Sequence, residues 1–282
     1  AFAADAARRE AKRAVDRFVT LHVQQIAATQ AQVRAKGQAL AAALGGVADP
    51  GQRAYALLTL AAKFCIQCEV QVTRLHSFAF PLAEVAVAVC VAHPDFVPTL
   101  LGQLIKSCPL LVPRFGLFAP GGDEDAYFKW LGYKITADEG TKEVVRESTD
   151  ECLERVQGYV RFYAALMQSD NPQNPHGLKQ AWTYLARLLN GLPATRFTAT
   201  ALDSFLAVAG FRLVRAYKRQ ALKLLEVVRA SFLPELSAAG ADDPDAKAVY
   251  TRIGTFLATR AYDRAPEGRD MPESDASSYE RA

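Results

Sequence analysis

Apolar residues recur at spacings of three and four along almost the whole chain, and this period constrains the fold more than any other feature. Such spacing places an apolar stripe on one side of an α-helix, whereas a half-buried strand requires strict alternation. No stretch of the sequence shows a persuasive series of alternating strands. The pattern therefore predicts an all-α protein.

Prolines and glycines divide this pattern into helices. The predicted helices cover residues 4–21, 30–44, 81–93, 98–108, 143–168, 176–190, 198–230 and 244–262, with one more running from the turn at 49–52 to about residue 74. Residues 113–142 form the one long irregular stretch. The predicted architecture is a single elongated domain over 1–265, built of stacked antiparallel helix pairs like a HEAT or MIF4G-type helical repeat, followed by a disordered tail at 266–282.

The charge balance limits the partners that the whole chain can attract. With 33 Lys and Arg against 30 Asp and Glu, the formal net charge is only +3. General nucleic-acid binding does not follow from that total, so an electrostatic function requires a local patch. The apolar run at 79–92 is interrupted by Pro81 and Glu84 and is too short to span a bilayer. The N-terminus lacks the apolar segment of a signal peptide.

The residue types that carry catalysis or metal binding form no convincing set. Cys65 and Cys68 lie in a helical pattern, and the only other nearby pair is Cys90 with His93, so five buried, inert thiols are predicted. No phosphate-binding glycine loop, zinc-protease or serine-hydrolase motif is present in the sequence. No catalytic residue and no metal ligand is assigned.

His176 stands beside a glycine at the start of a predicted helix and is interpreted as structural. Asn174 suits the cap position before that helix, and Pro175 suits its first turn. The predicted packing stripe of this helix consists of Leu178, Trp182, Leu185 and Leu189.

Several segments together resemble the carboxy-terminal domain of the GLFG-lethal mRNA export factor of the nuclear pore, in its fungal form. The segments are "AAKFCIQCEVQV", "FAFPLAEVAVAV", "LIKSCPLLVPRF", "WLGYK", "RFYAALMQ", "NPHGLKQAWTYLARLLN" and "TATALDSFLAVAGFRLVRAY", in this order, from about Lys63 to about Phe232. The resemblance is weak before residue 50 and in the tail.

The resemblance implies a non-catalytic activator of a DEAD-box RNA helicase at the cytoplasmic face of the nuclear pore complex, with access to nucleus and cytoplasm. Inositol hexakisphosphate would bridge the activator and the helicase, which would promote RNA release. A short motif from a Phe-Gly-repeat nucleoporin would be a second partner. This domain would make no membrane contact and would act on RNA only indirectly.

A ligand with so many phosphates requires several lysine or arginine side chains from different helices. Residues 1–40 hold seven basic residues against three acidic ones. The inositol phosphate-binding candidates are Lys12, Arg13, Arg17, His22, Lys63, Arg74 and Lys106. In the family, "LIKSCP" usually carries a lysine doublet, and here the second position is Ser107, whose hydroxyl could still donate. The alternative is that these cations form a solvated helix face.

A second group of cations is spaced for one helix face in the carboxy-terminal half. The partner-contact candidates are Arg212, Arg215, Arg219 and Lys223, together with the aromatic residues Trp182 and Phe205. This face could contact an acidic surface of the helicase or RNA phosphates, and the alternative function is therefore a helical-repeat adaptor that binds RNA directly. The nucleoporin groove is expected between helices of the same half.

Overall fold

The computed structural model describes residues 8–113, 118, 121–137 and 144–274. Within these ranges the chain forms α1 (Arg9–Gln24), α2 (Gln30–Gly45), α3 (Pro50–Gln67), α4 (Ala79–Ala92), α5 (Phe96–Ser107), α6 (Glu124–Leu131), β1 (Ile135–Ala137), β2 (Val144–Arg146), α7 (Thr149–Gln168), α8 (Leu178–Gly191), α9 (Arg196–Tyr217), α10 (Arg219–Val227), α11 (Leu233–Ala239) and α12 (Pro244–Ala258). The prediction of an all-α fold is confirmed, since the only strands described pair as one short antiparallel hairpin.

The helices lie in two layers. In the first, α1 packs on α3 and α3 packs on α5; in the second, contacts run from α2 through α4, α7 and α9 to α12. Phe64 of α3 joins the layers, because its ring lies 6.2 Å from Phe96 of α5 and 6.0 Å from Phe162 of α7. All three rings are completely buried.

Local capping explains where several helices begin. The Asp49 side chain accepts a hydrogen bond from the Gln52 amide at 2.7 Å, just before α3. Ser148 and Glu151 form a reciprocal capping box at the start of α7. These side chains satisfy amide groups that lack partners in the first turn of a helix, so these helix starts are encoded locally.

The predicted helix from the turn at 49–52 to about residue 74 ends earlier as a regular α-helix. After Gln67 the chain makes a π-helical turn, Cys68–Val72, and Gly158 of α7 packs directly against it. A Cβ atom at position 158 would overlap the carbonyl oxygen of Cys68. The close crossing of α7 over this turn therefore requires glycine.

The stretch 113–142 is not wholly irregular, and the prediction is wrong for α6 and β1. Asp123 caps α6, and Gly132 ends it in the left-handed region with φ 100°. The hairpin that follows is held by Arg155 of α7, which pairs with Glu147 and donates to the Gly132 carbonyl at 2.7 Å. Arg155 and Glu147 are both largely buried, so a tertiary ion pair orders a segment that has little core of its own.

The predicted helix 198–230 is two helices. Lys218 adopts φ 47° and ψ −121° between α9 and α10, which turns the chain and separates their faces. A second π-helical turn, Val228–Phe232, then leads into α11, which lies beyond the predicted helix.

Residues 266–274, predicted as the start of a disordered tail, pack on the fold, and 271–273 contact the first turns of α2. The amides of Gln30 and Ala31 donate to the carbonyls of Pro272 and Glu273, at 2.9 and 3.0 Å. Arg269 also pairs with Asp170 after α7. The difference arises because the first turn of α2 offers unpaired amide groups to this segment. Residues 275–282 fall outside the described part of the chain.

By length and composition α9 could cross a membrane, but 72% of its most apolar window is buried inside the protein. It packs against α7 on one side and α12 on another. The apolar composition of α9 is that of a central core helix.

His176 precedes α8 rather than lying in its first turn, so the predicted cap is wrong. Gly177 occupies the cap position, while the Asn174 side chain accepts from the His176 amide at 3.0 Å and donates to the Leu166 carbonyl at 2.8 Å. The Nε2 atom of His176 lies 3.0 Å from the Tyr163 hydroxyl. Burial lowers the pKa of His176 to about 4.

We expect this histidine to make stability depend on pH. In the unfolded chain its pKa is about 6.5, so between about pH 6.5 and pH 4 the unfolded state binds a proton that the folded state does not. The free energy of unfolding should therefore fall as the pH is lowered through this window. Urea unfolding at several pH values should show a shallower dependence for His176→Gln, and equal slopes for variant and wild type would contradict the assignment.

Two helical glycines provide a matched test of the close crossing at the π-helical turn. Gly158→Ala should lower the free energy of unfolding by about 1–3 kcal/mol, since the new methyl group has no space against Cys68. Gly102→Ala in α5 meets no atom within 4 Å and should raise it by about 0.5–1 kcal/mol. Denaturant unfolding of both variants measures this, and a Gly158→Ala protein as stable as wild type would show that α7 can move away.

Candidate anion-binding surface

Helices α1 and α3 run parallel, and two contacts fix their register. Arg8 donates to the Asp49 carboxylate at 3.0 Å at the start of both helices. Further along, the Tyr55 hydroxyl donates to Asp16 at 2.7 Å. Residue numbers rise together in both helices. Continuing this register therefore places His22, in the last turn of α1, at the same height along the helix axes as Lys63 in α3, and residues at the same height are described below as lying at one level.

Helices α3 and α5 are also parallel. Arg53 donates to the Asp95 carboxylate at 3.0 and 2.9 Å, and twelve residues on in each helix the Cys65 thiol interacts with the Ser107 hydroxyl. This register places Lys63 and Lys106 at one level on neighbouring helices, whose axes are typically about 8–10 Å apart. Three of the seven candidates, His22, Lys63 and Lys106, therefore share one level across three helices.

The other four candidates lie further away. Lys12 and Arg13 stand at the level of residues 52–53 of α3, about 15 Å from Lys63 along the helix axis. The Lys12 ammonium lies 5.8 Å from the centre of the Tyr55 ring. Arg17 falls between the two levels, and Arg74 follows the π-helical turn. The seven candidates thus form a band across α1, α3 and α5, and only part of it is compact.

The cations of this band have no acidic partners within the described part of the chain. Arg13, Arg17, Arg74 and Lys106 are exposed, Lys12 and Lys63 are half-buried, and none of the six forms an ion pair there. His22 differs, because its Nδ1 atom lies 2.9 Å from the Phe18 carbonyl of its own helix. Uncompensated cations at one level repel one another, so the surface is suited to a multivalent anion.

Ser107 faces away from this surface. Its hydroxyl interacts with Cys65 and Tyr159, between α3, α5 and α7. The Ser107 hydroxyl is thus engaged inside the fold, and Lys106 is the cation that this segment presents.

Exposed apolar side chains border the cations, and sequence reasoning missed them. Leu21 is 49% exposed, Leu58 48% and Ile66 44%. Leu21 and Ile66 lie close to the level of Lys63, and Leu58 lies about a turn before it. The sequence could have indicated them, because apolar residues of α3 occur outside the face that packs against the core as well as on it. Exposed leucine and isoleucine beside unpaired cations are typical of a surface that a protein partner covers.

Two of the partner-contact candidates already make contacts within the fold. Phe205 is completely buried, with its ring centre 4.9 Å from that of Tyr184. Arg212 is partly buried and pairs with Asp170. The prediction for Phe205 is wrong, because the sequence pattern does not separate the core face of α9 from its surface, whereas Arg212 is partly exposed and stays a prediction.

The remaining candidates are exposed or half-buried but do not form one stripe. Arg215 lies on α9, whereas Arg219 and Lys223 lie on α10, and the turn at Lys218 separates them. Trp182 is half-buried, with its ring centre 4.8 Å from that of Tyr217. The Trp182 and Tyr217 pair thus remains as a small aromatic surface between α8 and α9.

The cysteines do not supply reactive chemistry. All five are free and buried, as predicted, and burial raises the pKa of Cys65, Cys90, Cys108 and Cys152 to about 12. A thiol with such a pKa stays protonated and is a poor nucleophile. Among the described residues no group of three or more His, Cys, Asp or Glu could hold a metal ion.

Similar proteins are export factors of one family. The chain is 31% identical over 220 residues to the rat mRNA export factor GLE1, covering 76% of this chain and 30% of the relative. It is 35% identical over 206 residues to the Arabidopsis thaliana mRNA export factor GLE1, covering 71% and 29%. The chain thus spans about a third or less of the length of these relatives.

A solved structure shares the fold. It is that of the Saccharomyces cerevisiae Dbp5 C-terminal domain bound to Gle1 and IP6, and the match has a TM-score of 0.80 and 21% sequence identity. It covers 95% of this chain and 89% of that chain. A model of the GLE1-like protein family matches residues 2–229, most of the chain, and the chain therefore belongs to the GLE1-like family.

Proposed function

We propose that this chain is the part of an mRNA export factor that binds inositol hexakisphosphate and activates a DEAD-box RNA helicase. The observation that carries the proposal is the unpaired pair of lysines, Lys63 and Lys106, held at one level by the register of α3 and α5. The related complex that contains Gle1, Dbp5 and IP6 supports this choice of anion and partner.

The exposed apolar residues beside the cations suggest that a bound anion would lie between this chain and a protein partner. A multivalent anion bound at Lys63 and Lys106 would neutralise these cations beside exposed Leu21, Leu58 and Ile66. A partner surface that is basic around the anion and apolar beside it could then bind without charge repulsion. The helicase would dock on this surface, and the anion would lie between the two proteins.

The activator role proposed here is non-catalytic. The chain would contribute binding energy that favours the helicase conformation from which RNA is released, acting on RNA only indirectly. The site of action would be the cytoplasmic face of the nuclear pore complex, with passage between nucleus and cytoplasm, and without membrane contact by this part of the protein.

The alternative is an adaptor that binds RNA directly. Arg215, Arg219 and Lys223 favour it, because they are exposed and have no ion pair within the described ranges. Salt-dependent binding of single-stranded RNA by the isolated chain, lost in Arg219→Glu, would support the adaptor. Absence of such binding, together with saturable binding of inositol hexakisphosphate, would support the helicase activator.

A motif from a Phe-Gly-repeat nucleoporin is proposed as a further partner, at the aromatic surface of Trp182 and Tyr217. An aromatic motif residue could pack on this pair, which lies on the side of α8 that faces α9. Arg215 at the end of α9 is an exposed cation on the same helix as Tyr217.

Charge reversal of the two lysines tests the anion site. Lys63→Glu with Lys106→Glu should weaken binding of inositol hexakisphosphate at least tenfold, because each charge-assisted contact contributes about 1.5–3 kcal/mol. Calorimetry with the isolated chain measures the affinity, and stimulation of helicase ATPase activity by the ligand should fall in parallel.

Lys223→Glu on α10 serves as the control and should leave anion binding nearly unchanged. Unfolding curves of all variants should be similar to wild type, since none of the replaced ammonium groups has an ion pair to lose within the described ranges. If Lys223→Glu loses anion binding while the double variant keeps it, the site lies at the other end of the protein.

The nucleoporin proposal predicts stabilisation by peptide. A ligand that binds only the native state raises the midpoint of thermal unfolding, so saturating Phe-Gly motif peptide should raise it for wild type. Trp182→Ala should abolish this increase while Lys106→Glu retains it. An unchanged midpoint for wild type at saturating peptide would count against a nucleoporin surface here.

A further inference from the structure

A groove between α5 and α8 has the features of a ligand site that the proposed function does not use. It has a volume of about 230 Å³. Leu101 and Ile105 of α5, with Val112 beyond it, form an apolar wall, and the opposite rim belongs to α8. None of the anion-site residues lines it, so its occupancy is a separate question from the proposed function.

The floor of the groove contains a buried hydroxyl without a partner. Tyr184 is only 3% exposed, and its hydroxyl has no hydrogen-bond partner among the described residues. Its two polar neighbours in the floor are already joined, since the Tyr163 hydroxyl lies 3.0 Å from Nε2 of His176. Buried hydroxyls are nearly always paired, and Tyr184 is one of the residues that line the groove, so its hydroxyl is a donor that a ligand in the groove would satisfy.

The rim of the groove is positively charged. Lys179, Thr183 and Arg187 follow one another at four-residue steps along α8 and all line the groove. Lys179 and Arg187 are exposed and have no ion pair within the described ranges. Their Cα atoms are about 12 Å apart along the helix, and both side chains are long enough to converge on two carboxylates about 7 Å apart, the spacing of alternate residues in an extended chain.

We propose that this α5–α8 groove binds an extended segment of a partner protein that carries one bulky apolar side chain between two carboxylates. In an extended segment, side chains alternate in direction, so the residues on either side of the apolar anchor point the same way. The anchor would fill the space beside Leu101, Ile105 and Val112. The two carboxylates would face Lys179 and Arg187, and a main-chain carbonyl would accept from Tyr184.

Fluorescence anisotropy with three short labelled peptides tests the recognition chemistry on the full chain. The peptides have the cores Asp-Phe-Glu, Asn-Phe-Gln and Asp-Ala-Glu, in otherwise identical Gly-Ser flanks. The acidic Phe peptide should bind saturably, the neutral one should bind at least tenfold more weakly, and the alanine peptide should bind weakest. Equal affinity for all three, or no saturation of the first at millimolar concentration, overturns the proposal.

Variants of the groove supply readouts that a purely structural role would not change. Tyr184→Phe should weaken binding of the acidic Phe peptide roughly fivefold while the thermal unfolding midpoint stays equal or rises, because the removed hydroxyl has no partner to lose. Arg187→Glu should weaken binding at least tenfold. Lys247→Glu, an exposed cation on α12, is the matched control and should bind as wild type does.

The same variants also give the result that would overturn the groove proposal. If Tyr184→Phe and Arg187→Glu both bind the acidic peptide as tightly as wild type, the peptide binds elsewhere and the groove is not its site. These measurements need neither inositol hexakisphosphate nor helicase, and Lys63 and Lys106 remain intact. Failure of the groove proposal therefore leaves the anion site untouched, and the reverse also holds.

Discussion

The packing of α3 between α1, α5 and α7 is the contact on which the rest of the structure depends. Phe64 is completely buried and contacts aromatic rings from both α5 and α7, so it joins the two layers at their centre. With three sides of α3 occupied, only one narrow face is left to solvent. Lys63 and Ile66 lie near that face, so the helix that carries the core also presents the candidate binding surface.

The parts of the fold that were predictable from sequence are those that local interactions encode. Helix periodicity and caps such as Asp49 and Ser148 depend on neighbours within a few residues. The π-helical turn after Gln67 does not, because it lies where α7 crosses it at Gly158. The break at Lys218 has no glycine or proline to mark it in the sequence. The hairpin likewise depends on Arg155 of the following helix, whose pairing with Glu147 is a contact between elements. Tertiary contacts override local propensity at these points.

The candidate site also combines features that the local sequence predicts with features that only tertiary contacts determine. Lys63 and Lys106 were predicted because they lie in segments that resemble the family, but their common level follows only from the register of α3 and α5. Phe205 was predicted wrongly as a partner contact, since its burial is set by helices that the sequence pattern does not place, and the pairing of Arg212 with Asp170 was not predicted for the same reason. In the sequence, an arginine that belongs to an exposed stripe cannot be distinguished from an arginine that pairs with an acidic residue of a loop.

Pairing separates the cations with a structural role from those available to a ligand. Arg53, Arg155, Arg196 and Arg269 each hold an acidic residue from another element, and they join parts of the fold. Lys63 and Lys106 hold none within the described ranges, so they contribute repulsion without a compensating contact. A polyanion bound there, as proposed, would remove that repulsion and stabilise the native state by an amount that grows with the logarithm of its affinity. On the proposed function, the stability of the α1–α3–α5 layer and the binding of the anion would therefore be linked, and this linkage would let a small ligand order the surface on which a protein partner docks.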